Sequence, residues 1–198
     1  MPVTTPHPPS TTAATQSAKI VVAGGFGVGK TTFVGAVSDI APLRTEEHMT
    51  AAAAGLDDVS KVGKKHSTTV AMDFGRIGVS DDLVIYLFGT PGQDRVAFMW
   101  DQIVLGALGA ILLIDTARLE DSHAAIDYFE SRDIPFIIAA NTFDHSPKGT
   151  DEQVRDALAL PPGIPVVTVD ARDRESVKQS LISLIERLLQ LVALSDQP

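Results

Sequence analysis

The stretch KIVVAGGFGVGKTT, residues 19–32, changes character twice within a few residues. Lys19–Ala23 is a short run rich in β-branched residues with no polar alternation, the pattern of a strand covered on both faces. Gly24-Gly25 ends that run, and from Lys30 to Ile40 the apolar positions take up helical spacing. Between strand and helix, Gly24–Thr31 fits G-x-x-x-x-G-K-[ST], in the context that this motif requires. Each fixed position has a chemical reason. Glycines let backbone N–H groups curl around phosphate oxygens where side chains would obstruct them. The helix directs its positive N-terminal end at the same oxygens. Lys30 adds a point charge for the terminal phosphates, and the Thr31 hydroxyl is placed to coordinate Mg²⁺.

Outward from this loop, strands and helices alternate. Residues 41–68 read as a long polar and Ala-rich connection, longer than compact domains usually hold without a functional reason. Thr69–Ile77 alternates, with Val70, Met72 and Phe74 on one face, and Asp81-Asp82 turns it into Leu83–Phe88 as a hairpin. A helix follows around Arg95–Leu105, then a strand at Ala110–Asp115 and a helix at Asp121–Arg132 capped by Asp121 or Ser122. A strand at Pro135–Ala140, a short helix near Asp151–Leu158, a strand at Val166–Val169 and a final helix from about Arg174 to Leu194 complete the pattern. The pattern predicts an α/β fold: a mostly parallel, six-stranded sheet with one antiparallel strand and helices on both faces. The domain spans 19–194. Residues 1–18, with four prolines and no charged side chain, read as a disordered tail, and 195–198 as a frayed end.

Composition excludes several classes. Lys and Arg number 16 against 25 Asp and Glu, a net charge of −9, which argues against nucleic acid or an anionic membrane as a direct partner. There is no cysteine, so disulfides, zinc–thiolate sites and cysteine nucleophiles are absent, as are prenyl and palmitoyl anchors. The apolar runs are too short to span a bilayer, and the N-terminus lacks signal-peptide character. These features predict a cytoplasmic protein. The five histidines are scattered without ligand spacing.

Four further elements fall in order at strand ends. Gly89-Thr90-Pro91-Gly92-Gln93 resembles the D-x-x-G-Q element of Ras-like small GTPases, with Gly89 in place of the aspartate. Thr69–Phe74 resembles their switch I threonine and the strand after it. Asn141-Thr142-Phe143-Asp144 resembles N-K-x-D, with Thr142 in place of lysine, and Asp170-Ala171-Arg172 lies where the S-A-K loop would be. The chain resembles bacterial Ras-like small GTPases, in particular the D-type component of actinobacterial conservon operons, through PLRTEEHMT, TTVAMDFGRI, LFGTPGQ, FMWDQIVLGALGA and YFESRDIPFIIAANTFD. It is distantly similar to the MglA-type gliding-motility GTPases.

That resemblance implies a Ras-like G domain and a switch that binds GTP and Mg²⁺ and hydrolyses GTP to GDP slowly. It places nucleotide contacts at Gly25, Gly27, Val28, Gly29, Lys30, Thr31, Thr32 and Gly92. Asn141 would tie two loops together, Asp144 would accept from guanine N1 and N2, the Ala171 N–H would meet guanine O6, and Arg172 would line the same loop. Gln93 would orient the attacking water, and Thr69, or less directly Thr68, would join Thr31 at Mg²⁺ in the triphosphate state. Arg44 and Arg95 lie in the two expected switches, where either would serve as an internal arginine finger or stand solvated. The implied partners are a roadblock-type regulator, a sensor-kinase-like membrane protein that would recruit it, a small winged-helix protein and, for some relatives, a pentapeptide-repeat protein.

Two alternatives stay open. Gly89 removes a carboxylate near the metal, which also fits a nucleotide-binding module that barely hydrolyses. Asp115 ends the apolar run ILLID as a Walker-B aspartate does, which fits an ATP-using enzyme. Phe98, Met99 and Trp100 form either a partner surface or the apolar face of a helix on the sheet. The amphipathic final helix is read as docked on the core.

Overall fold

A computed structural model describes residues 16–49, 68–92, 99–144, 146, 147 and 149–195, with the backbone alone for 43–49 and 68–71. In chain order the elements are β1 (Gln16–Ala23), α1 (Lys30–Val37), β2 (Leu43–Met49), β3 (Thr68–Gly78), β4 (Leu83–Gly89) and α2 (Trp100–Val104). They continue as β5 (Gly109–Ile114), α3 (His123–Glu130), β6 (Phe136–Asn141), α4 (Asp151–Ala157), β7 (Val166–Val169) and α5 (Arg174–Ser195).

One seven-stranded sheet runs in the order β2-β3-β4-β1-β5-β6-β7. β4, β1, β5, β6 and β7 are parallel, whereas β3 is antiparallel to both β4 and β2. The first strand lies at the centre, as its two-sided apolar run requires. Ile20 and Val22 pack with Phe33, Val34 and Leu184 on the α1–α5 side, while Val21 and Ala23 pack with Leu112, Phe129 and Phe136 on the α3 side.

The structure corrects the expected sheet in two places. β3 alone runs against the other strands, the one antiparallel strand of the expectation, but β2 adds a seventh strand inside the stretch read as a connection. Its sequence LRTEEHM carries no apolar run because an edge strand has one neighbour and tolerates charge. β1 also begins earlier than expected, with Gln16 paired to Leu83 and its N–H donated to Asp82 O at 2.6 Å. At the other end α5 runs through Ser195, one residue into the segment read as frayed.

Helix α5 is only half docked. Val177, Leu181 and Leu184 are buried, but Ile182, Ile185, Leu189 and Val192 face outward, Leu189 at 65% exposure. Core docking therefore accounts for one face of its amphipathic pattern. No described helix is long and apolar enough to cross a membrane.

Candidate nucleotide-binding site

The loop between β1 and α1 is held open by backbone geometry that other residues resist. Gly24 has φ 140°, and a Cβ there would lie 2.2 Å from Leu113 O. Gly29, the residue before α1, has φ 101°, and a Cβ there would meet Asn141 Nδ2 at 2.6 Å. Lys30 folds back over this loop. Its Nζ donates to Gly24 O at 2.8 Å and Gly25 O at 2.7 Å, and the side chain is buried. Burial pushes its pKa down to about 8, an effect the nearby Asp73 carboxylate partly offsets. A buried cation held by two carbonyls is poised to exchange them for phosphate oxygens, which offer full charge.

Thr31, in the first turn of α1, donates its hydroxyl to Asp73 Oδ2 at 2.6 Å. Two glycines make that contact. A Cβ on Gly75 would lie 2.7 Å from Val34 Cγ1, so its absence lets β3 approach α1, and Asp73, two residues earlier on the same face, arrives opposite Thr31. Gly89, paired with Asp73 across the strands, leaves the space that the Asp73 side chain takes: a Cβ there would be 3.0 Å from Asp73 Cβ and 3.3 Å from its Oδ2. A carboxylate thus stands beside the Thr31 hydroxyl although the position after β4's phenylalanine has none. Sequence reasoning missed Asp73. The available signal was one acid in the alternating run TTVAMDF, on the face opposite Val70, Met72 and Phe74.

Asp115 is occupied elsewhere. Its buried carboxylate accepts from Ser146 Oγ at 2.6 Å, from the Ala117 N–H at 3.0 Å and from Arg118 Nε at 3.3 Å. It ties the loop after β5 to the loop after β6, while the Thr31 hydroxyl bonds Asp73.

On the other side of the phosphate loop, Asn141 joins three segments. Its Nδ2 donates to Val28 O at 3.0 Å, and its Oδ1 accepts from the Ala171 N–H at 3.0 Å. The first bond matches the tie expected of Asn141. The second departs from expectation: the N–H assigned to guanine O6 is spent on Asn141, because both groups are buried and face each other across the β6–β7 ends. A cavity of about 110 Å³ opens here, lined by Gly29, Thr32, Asn141, Phe143, Ala171 and Arg172 among others. The Arg172 guanidinium lies back on Asp170, with both contacts at 2.9 Å, which holds the Asp170 carboxyl below its ordinary pKa. Asp144 is exposed just beyond Phe143, and the Thr142 hydroxyl bonds Val169 O at 3.3 Å.

Gly92 packs on the phosphate loop, where a Cβ would be 2.7 Å from Lys30 Nζ and 3.0 Å from Gly25 O. Gln93, Arg95 and Phe98 lie outside the described residues, and Arg44, Thr68 and Thr69 are described by backbone alone. Thr69 pairs with His48 in the β2–β3 ladder. Trp100 is buried, edge-on to Tyr128 with centroids 5.1 Å apart, and Met99 packs into the same cluster, so these two belong to the helix-on-sheet reading. Ser122 does precede α3, but no side-chain hydrogen bond caps that helix. Among the described residues no group of His, Cys, Asp and Glu forms a metal cluster.

A sequence model of the family described as "Conserved hypothetical ATP binding protein" matches residues 22–191, and the chain belongs to that family. The chain is also 32% identical, over 136 residues, to the uncharacterized protein MJ1339 of Methanocaldococcus jannaschii. That alignment covers 68% of this chain and 75% of the archaeal protein. The phosphate loop, Asp73, Asn141 and Asp115 all fall within the family match.

Proposed function

We propose that this chain is a P-loop nucleoside triphosphatase working as a nucleotide-state switch, with guanine the preferred base. The observation that carries the reading is the pair formed by buried Lys30 on its own loop carbonyls and half-buried Thr31 on Asp73, since both groups are held where a triphosphate and its cation would replace their present partners. The donor set suits Mg²⁺: a hydroxyl and a carboxylate, both oxygen, 2.6 Å apart beside a helix N-terminus. Thr31 would hold the ion directly, with Asp73 in the place left by Gly89, and bound Mg²⁺ would supply charge neutralisation at the terminal phosphates. Lys30 would bind those oxygens, the loop N–H groups would orient the triphosphate, and Gly92, packed on Lys30, would bring Gln93 toward the attacking water.

The strand order supports a G-domain reading, with the loop-bearing strand central between parallel neighbours β4 and β5 and a single reversed strand, β3, beyond β4. In the switch reading Thr69 joins the cation only with triphosphate bound, and hydrolysis, slow without a partner, releases it. The output then passes to proteins that sense the switches, including a roadblock-type regulator, a sensor-kinase-like protein and a pentapeptide-repeat protein. Guanine preference rests on Asp144 and on Asn141 bridging the loops around the cavity.

A second reading, with adenine as the base, is favoured by one observation: the Ala171 N–H is already bonded to Asn141 Oδ1, so a guanine O6 would have to displace it. The family's description as ATP binding points the same way. One experiment separates the two. Protein purified in Mg²⁺ buffer is denatured and the released nucleotide resolved by ion-exchange chromatography. Guanine nucleotide at near one per chain is expected. Adenine nucleotide, or equal thermal shifts with added GTP and ATP, would overturn the guanine assignment, and a shift with neither would overturn the triphosphatase reading.

A further inference from the structure

Among the described residues near the phosphate loop, Arg118 is a cation that no sequence motif names. It follows β5, and its guanidinium lies along the outer edge of the loop. Nη2 donates to Phe26 O at 3.4 Å, and a Cβ on Gly27 would be 3.9 Å from the same nitrogen. Two carboxylates hold it there: Nε donates to Asp115 Oδ2 at 3.3 Å, and Nη1 lies 3.5 Å from Asp121 Oδ2. Asp121 itself packs on the loop, its Cβ 3.2 Å from where a Gly25 Cβ would stand. Asp115 is fixed in turn by Ser146 and Ala117.

Two carboxylates thus keep this arginine at the edge of the loop, while its Nη2 faces a neutral peptide carbonyl. The contact to Phe26 O, at 3.4 Å, is long for a hydrogen bond, and Phe26, Asp115 and Asp121 engage three of the five guanidinium N–H groups. A phosphate oxygen is a stronger acceptor than a peptide carbonyl. Phe26 is 71% exposed at the loop's tip, so an arginine brought by another protein would meet a phenyl ring, whereas Arg118 already lies against the backbone beside Gly27.

We propose that Arg118 is a built-in arginine finger, which turns from Phe26 O to the β–γ bridging oxygen of the bound triphosphate. This rests on the triphosphatase reading. In the reaction a water oxygen bonds to the γ-phosphorus and the bond from that phosphorus to the bridging oxygen breaks. The electron pair stays on the departing diphosphate; one water proton remains on the released phosphate and the other passes to solvent. Arg118 N–H groups meet the charge that grows on the bridging oxygen, where an Arg finger has most effect.

The test compares wild type, Arg118→Ala, Arg118→Lys and the distant control Arg155→Ala. Two readouts are taken on each: affinity for the tri- and diphosphate by fluorescent-nucleotide binding, and single-turnover phosphate release. Arg118→Ala is expected to keep diphosphate affinity within about threefold and to slow release by about 10³-fold, with Arg118→Lys recovering little because lysine lacks the planar fork. If wild type binds without hydrolysing, the triphosphate-over-diphosphate affinity ratio decides, and it should fall at least tenfold in Arg118→Ala. Equal release and equal ratios in wild type and Arg118→Ala would overturn the finger while leaving the triphosphatase reading intact. Parallel loss of both affinities with a lowered Tm would overturn it as well, since Arg118 would then be a loop latch. A wild type that binds neither nucleotide would overturn both.

Discussion

Exchanging the residues at 73 and 89 tests whether Asp73 fills a space that Gly89 leaves. Gly89→Asp alone brings a second carboxylate against the first, because the new Cβ would lie 3.0 Å from Asp73 Cβ and 3.3 Å from Oδ2. Two like charges about 4 Å apart repel by about 4 kcal/mol at an effective dielectric of 20, and overpacking adds about 1–3 kcal/mol. Protonation of one carboxyl limits the sum, so a loss of about 4 kcal/mol is expected. Asp73→Gly alone removes the charge-assisted bond to Thr31, which contributes about 1.5–3 kcal/mol, and adds strand entropy of about 0.5–1 kcal/mol. The double variant Asp73→Gly/Gly89→Asp restores one carboxylate and one gap. It should be more stable than the sum of the single losses by about 2 kcal/mol or more. Urea unfolding of all four proteins in EDTA without nucleotide measures this directly. Additivity within about 0.5 kcal/mol would refute the shared-space argument.

Lys30 gives a pH signature with a definite sign. Its folded pKa of about 8 lies below the ordinary 10.5, so the empty protein should gain stability as pH rises from about 8 to 10.5 in urea titrations. Phosphate restores the charge, so triphosphate affinity should be full below pH 8 and fall above it, with proton uptake on binding seen by calorimetry in buffers of different ionisation enthalpy. Asn141→Ala strands the buried Val28 carbonyl and Ala171 N–H and should cost about 2–4 kcal/mol, read as a lowered urea midpoint. Asp115→Ala should cost about 3 kcal/mol yet leave the Mg²⁺ concentration that half-saturates nucleotide retention within about twofold, while Asp73→Asn raises it. A reversed outcome in that Mg²⁺ titration would return the metal role to Asp115.

The phosphate loop was legible because its demands fall on the backbone and so are written as glycines at fixed spacing. Gly24 and Gly29 tolerate no Cβ, and no distant residue can substitute for that requirement. The parallel core was legible for a related reason: Lys19–Ala23 and Gly109–Ile114 are covered on both faces, and composition records it. Asp73 was not, since its meeting with Thr31 depends on how closely β3 lies on α1, which Gly75 sets from two residues away. β2 was hidden because an edge strand needs no apolar run. Arg118 could not be seen either, for its partners Asp115, Asp121 and Phe26 meet only when two loops are brought side by side.

Strand β3 changes company at Asp73. From Asp73 to Gly78 it is laced to β4, and the turn after α1 reinforces that half through Ser38 Oγ, which accepts from the Arg76 N–H at 3.2 Å, while Asp39 Oδ2 accepts from the Gly78 N–H at 2.7 Å. From Thr68 to Met72 its ladder runs to β2 alone. Thr69 stands four residues from Asp73, about 13 Å along an extended strand. The ribbon formed by β2 and the first half of β3 is therefore a cantilever, with Asp73 at its fulcrum. Peeling or bending it beyond that point breaks rungs within the ribbon only and leaves the other five strands in register. Amide exchange should reflect that mechanical division, with Thr68–Met72 opening well before Gly75–Gly78.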